Sequence, residues 1–207
     1  VDLLQASGFE VLSEESGVAD IVWPITDDRL LVVVDPLDGS TNASKGLPWF
    51  ATSLCVVDRH GLRAALVAEQ SGSETRYGAS RGGGANRDGV PVRVNPLTNV
   101  SQAVVGTNGA PPYPHGWWQF RTLGAAALDI SLVATGGLDG YVDFHDHGVW
   151  DYLAAVLICR EAGAVVGDVD GRDLMVIDPD DRRSPVVASS RALFDSLVET
   201  ARQFRHI

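Results

Sequence analysis

Apolar residues along this chain fall into short runs punctuated by glycine, proline and acidic turns, and helical spacing is confined to the second half. Leu30-Leu31-Val32-Val33-Val34 is a β-branched stretch of buried-strand type. Pro36 has no amide hydrogen to extend a central ladder, so the strand is predicted to end at Asp35, where the chain turns. Trp49 to Val57 alternates poorly but is rich in strand formers, and Arg59-His60-Gly61 is a turn before a second run, Leu62 to Glu69. A further strand over Glu74 to Ala79, the hairpin or loop signal Gly82-Gly83-Gly84, a turn at Asn86 to Gly89 and Val90-Pro91-Val92 follow. Residues 30 to 94 are therefore predicted to form a largely antiparallel sheet.

The second half reads differently. Gly106 to Gly116, with Pro111, Pro112 and Pro114, is predicted to be a loop leading into Trp117-Trp118-Gln119-Phe120, whose aromatics default to core packing. Leu123, Ala127, Ile130 and Ala134 recur at helical spacing, and Gly136-Gly137 closes that segment as a C-cap. A strand over Leu138 to Phe144, a helix from Trp150 to Gly163, strands at Ala164-Val165-Val166 and Pro185 to Ala188, and a helix from Arg191 to Phe204 complete the pattern. This alternation gives a mixed α/β (α+β) class, taken as one domain over 1–207 with lobes at about 1–105 and 106–207.

Composition narrows the function classes. With 207 residues, 45% of them hydrophobic, the chain can bury a sizeable core. A net charge of -11 argues against binding along a nucleic-acid backbone and for metal ions wherever an anionic substrate is held. Cys55 and Cys159 lie in apolar runs without metal-ligand spacing, as reduced core residues of a cytoplasmic protein do. No apolar stretch approaches the roughly 20 residues that span a bilayer, so no membrane role is expected. The chain opens at Val1 without an initiator Met, as a processed chain or a fragment would.

The densest chemistry is Asp35-Pro36-Leu37-Asp38-Gly39-Ser40-Thr41-Asn42. Asp35 and Asp38 would point to opposite faces of a continuing strand, but a turn brings them together. Carboxylates ~4 Å apart repel by roughly 4 kcal/mol at an effective dielectric of about 20, so a convergent pair wants a cation or a shared proton. The turn frees the Leu37 carbonyl as a third oxygen donor, and such hard donors suit Mg²⁺ better than zinc. Gly39 permits close approach, and Ser40 or Thr41 is the expected N-cap of a short helix whose amides seat a phosphate. The alternative is an ordinary acidic turn. An EF-hand is excluded, because Gly46 stands where its bidentate Glu belongs. Taken alone, Glu14 and Glu15 are a solvated pair, Asp151 a first-turn helix residue favoured by the dipole, and His145 and His147 a loop rim.

These separate signals share one order and spacing. Ser13-Glu14-Glu15-Ser16, Asp35 to Asn42, Gly46-Leu47-Pro48, Leu123-Gly124-Ala125-Ala126-Ala127, and Trp150-Asp151-Tyr152-Leu153-Ala154-Ala155 with Glu161-Ala162-Gly163 together resemble the inositol monophosphatase family. The likeness runs from about Phe9 to Ala188. It implies a layered α-β-α-β-α sugar-phosphatase-like fold and a Li⁺-sensitive phosphomonoesterase with two or three Mg²⁺ ions. Carried over, Glu14, Asp35 and the Leu37 carbonyl hold one ion, and Asp35, Asp38 and Asp151 a second. Glu14 and Ser40 orient the attacking water, with Asp38 the third residue given a catalytic role. Gly39, Ser40, Thr41, Ala126 and Asp143 meet the small phosphorylated substrate, and a homodimer is implied. Three stretches depart from the pattern: few residues precede the Glu motif, 105–121 is short, and 143–151 is about one residue long. Phosphatases of the same superfamily acting on histidinol phosphate, fructose 1,6-bisphosphate or a 3′-phosphoadenosine nucleotide, and a metal-binding protein without turnover, are the alternatives.

Overall fold

The computed structural model describes residues 1–14, 23–111 and 113–204. Glu15, Ser16 and Pro112 lie outside the described residues.

The first half forms seven strands hydrogen-bonded in chain order: β1 (Glu10–Ser13), β2 (Leu31–Asp38), β3 (Ala51–Asp58), β4 (Gly61–Glu69), β5 (Arg76–Ser80), β6 (Gly84–Arg87) and β7 (Val90–Val92). All neighbours are antiparallel except β1 and β2, which run parallel. The expected sheet is present, with three corrections of detail. β2 does not stop at Asp35 but runs on to Asp38. Asp35 pairs with Ser53 and Asp38 with Ala51, so three steps on β2 match two on β3, a one-residue bulge that accommodates Pro36. β3 alternates strictly between buried and half-buried positions, because its small residues Ala51 and Ser53 pack inward as fully as Cys55 and Val57. The helix after β2, α2 (Ser40–Lys45), is capped by Gly39 rather than by Ser40 or Thr41. Gly39 has φ +82°, and a Cβ there would stand 3.0 Å from both the Trp49 carbonyl and the Ala125 Cβ, which leaves room for glycine alone.

The second half builds a five-stranded sheet in the order β11, β12, β10, β8, β9, from β8 (Val104–Asn108), β9 (Gln119–Arg121), β10 (Gly140–Asp143), β11 (Val165–Asp168) and β12 (Pro185–Ala188). β8 lies partly inside the segment expected to be a loop. Its Gly106 sits against Leu138 and Tyr141, where a Cβ would meet Leu138 Cδ1 at 2.8 Å, so the glycine marks close packing rather than a turn. Trp117 is buried as expected, whereas Trp118 is 65% exposed.

α3 (Ala126–Thr135) and α4 (Val149–Glu161) pack on each other between the two sheets. Between its polar ends α4 is apolar all round, with Tyr152 through Cys159 buried without a break, as befits a helix covered on both sides. α5 (Arg191–Phe204) lies on the outer face of the second sheet through Leu193, Leu197 and Ala201, and α1 (Asp2–Ala6) lies beside β1. The result is a layered α-β-α-β-α architecture of mixed α+β class, and both free cysteines sit in its interior. The main core joins Leu31, Val33, Cys55 and Val67 of the first sheet to Leu128, Ile130, Val156 and Ile158 of the helices. No helix among the described residues is long and apolar enough to cross a membrane.

Asn42 ties the halves together at the cleft. Its amide donates to the Trp49 carbonyl and the Leu123 carbonyl, both at 2.8 Å. Asn42→Ala leaves both part-buried acceptors without this donor and is expected to lower unfolding free energy by about 1 kcal/mol, measured by denaturant titration.

Candidate active site

The β2 bulge, the start of α3 and the start of α4 meet at one cleft of about 230 Å³ between the two sheets. Asp35, Asp38 and Asp151 each offer an oxygen there, all within 4.8 Å of one another. Three different local devices hold them. The Leu37 amide donates to Asp35 Oδ1 at 2.9 Å within the bulge, while the Thr52 hydroxyl donates to the Pro36 carbonyl at 2.9 Å. Asp38 accepts the first amides of α3, from Ala126 at 3.1 Å and Ala127 at 2.8 Å. Asp151, in the first turn of α4, accepts the Gly148 amide at 2.9 Å, so the capping role and the cleft position coincide.

Concentrating acids in a buried space changes their protonation. Burial, then the charge of Asp35, pushes the Asp38 carboxyl up to about 7, against the pull of the Ala127 amide. Asp151 is pushed up to about 7 chiefly by burial, with Asp38 and Asp35 adding to it and His147 opposing. Asp129 stands close by, buried within α3, accepting the Trp49 indole N–H at 2.7 Å; burial pushes it to about 7 as well.

The remaining expected residues divide into two groups. Glu14, exposed at the end of β1, lines the cleft together with Leu37, Gly39, Ser40, Thr41 and Ala126. The Ala126 amide is committed to Asp38. Asp143, expected to face substrate, is instead fully buried behind the lining. Its carboxylate accepts from the Asn108 amide at 2.8 Å and the His145 N–H at 2.9 Å, and it bonds His147 Nδ1. The short Asp side chain ends β10, and the loop after it folds His147 over the acid, so His147 takes the place on the wall. Burial would lower the His147 pKa, but Asp143, Asp151 and Asp38 outweigh it and raise it to about 9.

Asp129, Thr107, Asn108 and Tyr141 also line the cleft and carry no expectation from the sequence. Asp129 had a usable signal, an acid inside an otherwise apolar helix. Asn108 and Tyr141 had none, because strand pairing across the chain brings them there.

An α-β-α-β-α body with acidic side chains gathered where its two sheets meet defines a sugar-phosphatase-like class, and the solved structures agree. A hypothetical protein from Pyrococcus horikoshii, with similarities to inositol-1 monophosphatase, superposes with a TM-score of 0.84 at 30% identity over 96% of this chain and 79% of that one. The chain belongs to the inositol monophosphatase family, whose model matches residues 4–206. Among curated relatives, the Nus factor SuhB of Vibrio cholerae is 34% identical over 179 residues, 78% of this chain and 63% of its own, so the chain spans less than two thirds of that relative. The fructose-1,6-bisphosphatase of Pyrococcus furiosus is 32% identical over 92% of this chain and 74% of its own.

Asp38, Asp129 and Asp151 have folded pKa values near 7, above the unfolded value of about 3.9. Their contribution is present below the unfolded pKa and is lost as pH rises through the folded one. With chelator present, Tm is expected to fall as pH is raised from about 4 to past 7, and millimolar Mg²⁺ at pH 8 to restore it; differential scanning calorimetry checks both.

Proposed function

We propose that this chain is a Mg²⁺-dependent phosphomonoesterase acting on a small sugar or polyol phosphate, with inositol 1-phosphate as the reference substrate. The observation that carries this is the convergence of Asp35, Asp38 and Asp151, from separate elements, to within 4.8 Å.

The donor set fits Mg²⁺. It consists of oxygens, and its carboxylates are crowded enough in a buried space that burial and mutual repulsion raise Asp38 and Asp151. Glu14, Asp35, Asp38, Asp151 and the Leu37 carbonyl would hold two or three ions. Bound there, Mg²⁺ supplies positive charge to phosphoryl oxygens and acidifies water.

The chain's own residues supply the rest. Glu14 and the Ser40 hydroxyl orient the attacking water in line with the leaving group. The backbone N–H groups of Gly39, Ser40 and Thr41 hold phosphate oxygens at the start of α2. Asp129 and Asp38 accept hydrogen bonds from the hydroxyls of the leaving alcohol. A homodimer and a cytoplasmic location belong to the same proposal.

Phosphate release from inositol 1-phosphate is expected to need Mg²⁺ and to stop with chelator. Asp35→Asn and Asp151→Asn are each expected to lower kcat/KM by about a hundredfold or more, since both remove a metal ligand. Colorimetric phosphate assay checks this, with Tm confirming that the variants fold. Activity retained in either variant overturns the assignment.

A further inference from the structure

We propose that the Tyr141 hydroxyl determines specificity as the hydrogen-bond donor to one hydroxyl of the substrate's leaving alcohol, a group that donates in turn to Asp129. The preferred phosphomonoester then carries a free hydroxyl at one fixed position and loses its advantage when that oxygen is removed. This rests on the phosphatase reading above and deepens it.

Three observations carry it. Tyr141 is 1% exposed, and its hydroxyl has no hydrogen-bond partner among the described residues. A buried phenol in that state costs free energy until something accepts its proton, so it points to an acceptor that arrives with the ligand. Second, the strand aims the ring at the cleft and packing holds it there. Gly140 and Val142 face α5: a Cβ on Gly140 would stand 2.9 Å from Leu197 Cδ1, and Val142 packs with Leu193 and Leu197. Successive residues of a strand alternate, so Tyr141 points the other way, into the core between the sheets, and lines the cleft. Gly106 of β8 lies against the ring, where a Cβ would meet Tyr141 Cδ2 at 3.2 Å. Third, Asp129 lines the same cleft, and its carboxylate already accepts the Trp49 indole N–H at 2.7 Å, which fixes it as an acceptor beside this donor.

The pairing of groups names the ligand. A phenol has an ordinary pKa of about 10, and burial raises that of Tyr141 further, so it stands in the cleft as a neutral donor. Asp129 is the acceptor. A hydroxyl answers both at once, giving its proton to the carboxylate and taking one from the phenol; an ether or ketone accepts only, and an ammonium donates only. Tyr141 belongs to the second sheet, whereas the proposed phosphate seat at the start of α2 follows the first, so the hydroxyl it meets is on the alcohol that leaves.

Deletions on both sides of the contact test it. Inositol 1-phosphate is compared with its deoxy analogues, each lacking one hydroxyl, in Mg²⁺-loaded wild type and Tyr141→Phe. One analogue is expected to lose about tenfold in kcat/KM with wild type, and Tyr141→Phe to lose about tenfold on inositol 1-phosphate. The two deletions together are expected to lose little more than that analogue alone. An equal slowing of every compound by Tyr141→Phe, as a phosphate contact or a packing defect would give, overturns the subsite, and so does no slowing at all. Because Phe keeps the ring and removes the unpaired donor, the Tm of the variant without substrate is expected to equal or exceed that of wild type; a lower Tm shows the hydroxyl already satisfied within the fold and overturns the subsite too. Calorimetric titration with the same compounds reads the contact without turnover. The same coupling in binding supports it even where no phosphate is released, an outcome that sinks the phosphatase reading alone; its absence overturns the subsite.

Discussion

Three carboxylates held within 4.8 Å of one another in a buried cleft are an arrangement that a folded chain resists, and much of this architecture answers that resistance. The acids cannot be held by their own side-chain preferences. Each is anchored by backbone amides: one within a bulge, one from the first turn of α3, one at the entry to α4. Amides are oriented dipoles fixed by the surrounding helices and strands, so they oppose repulsion without needing to reorganise when a cation or substrate arrives. The rest of the layered body supplies the rigidity on which that depends, above all α4, whose run Tyr152 to Cys159 is buried between two sheets.

The two halves of the chain make unlike contributions to the cleft. The first sheet delivers Asp35 and Asp38 and, just beyond, the glycine-capped α2. The second sheet delivers Asn108, Tyr141 and the Asp143–His147 pair, while the helices between contribute Asp129 and Asp151. Two of the three clustered carboxylates therefore come from the first sheet, and the Asp143–His147 pair from the second.

Local rules made most of the elements legible and long-range pairing hid the rest. The β-branched run before Asp35, the small-residue spacing of α3 and the Leu193, Leu197, Ala201 stripe of α5 each announce themselves within a few residues. Gly106 misled because a glycine read locally is a turn, whereas here it lets β8 lie against Leu138 and Tyr141 far along the chain. Asp35 and Asp38 were legible as a convergent pair because they lie three apart at a turn, whereas Asp151, read alone as a first-turn helix residue, joined them only through the family resemblance. Asp143 was expected to face substrate and lies buried behind the lining, since nothing in a linear string shows that His147, four residues on, folds back over it. Tyr141 and Asn108 reach the cleft only through the parallel pairing of two strands over 30 residues apart.

The bulge at Pro36 and Leu37 has a meaning that lies in counting. In a regular ladder, positions two apart share a face, so a chain reading Asp-x-Asp could present both acids to the cleft without any irregularity. The sequence instead spends one residue more and absorbs it in the bulge. Aligning the carboxylates is thus not what the extra residue is for. It lifts Leu37 out of step with β3 and sets it in the lining of the cleft between the two acids. A shorter loop would keep the acids and their parity, and lose a position of the cleft wall that no substitution could return.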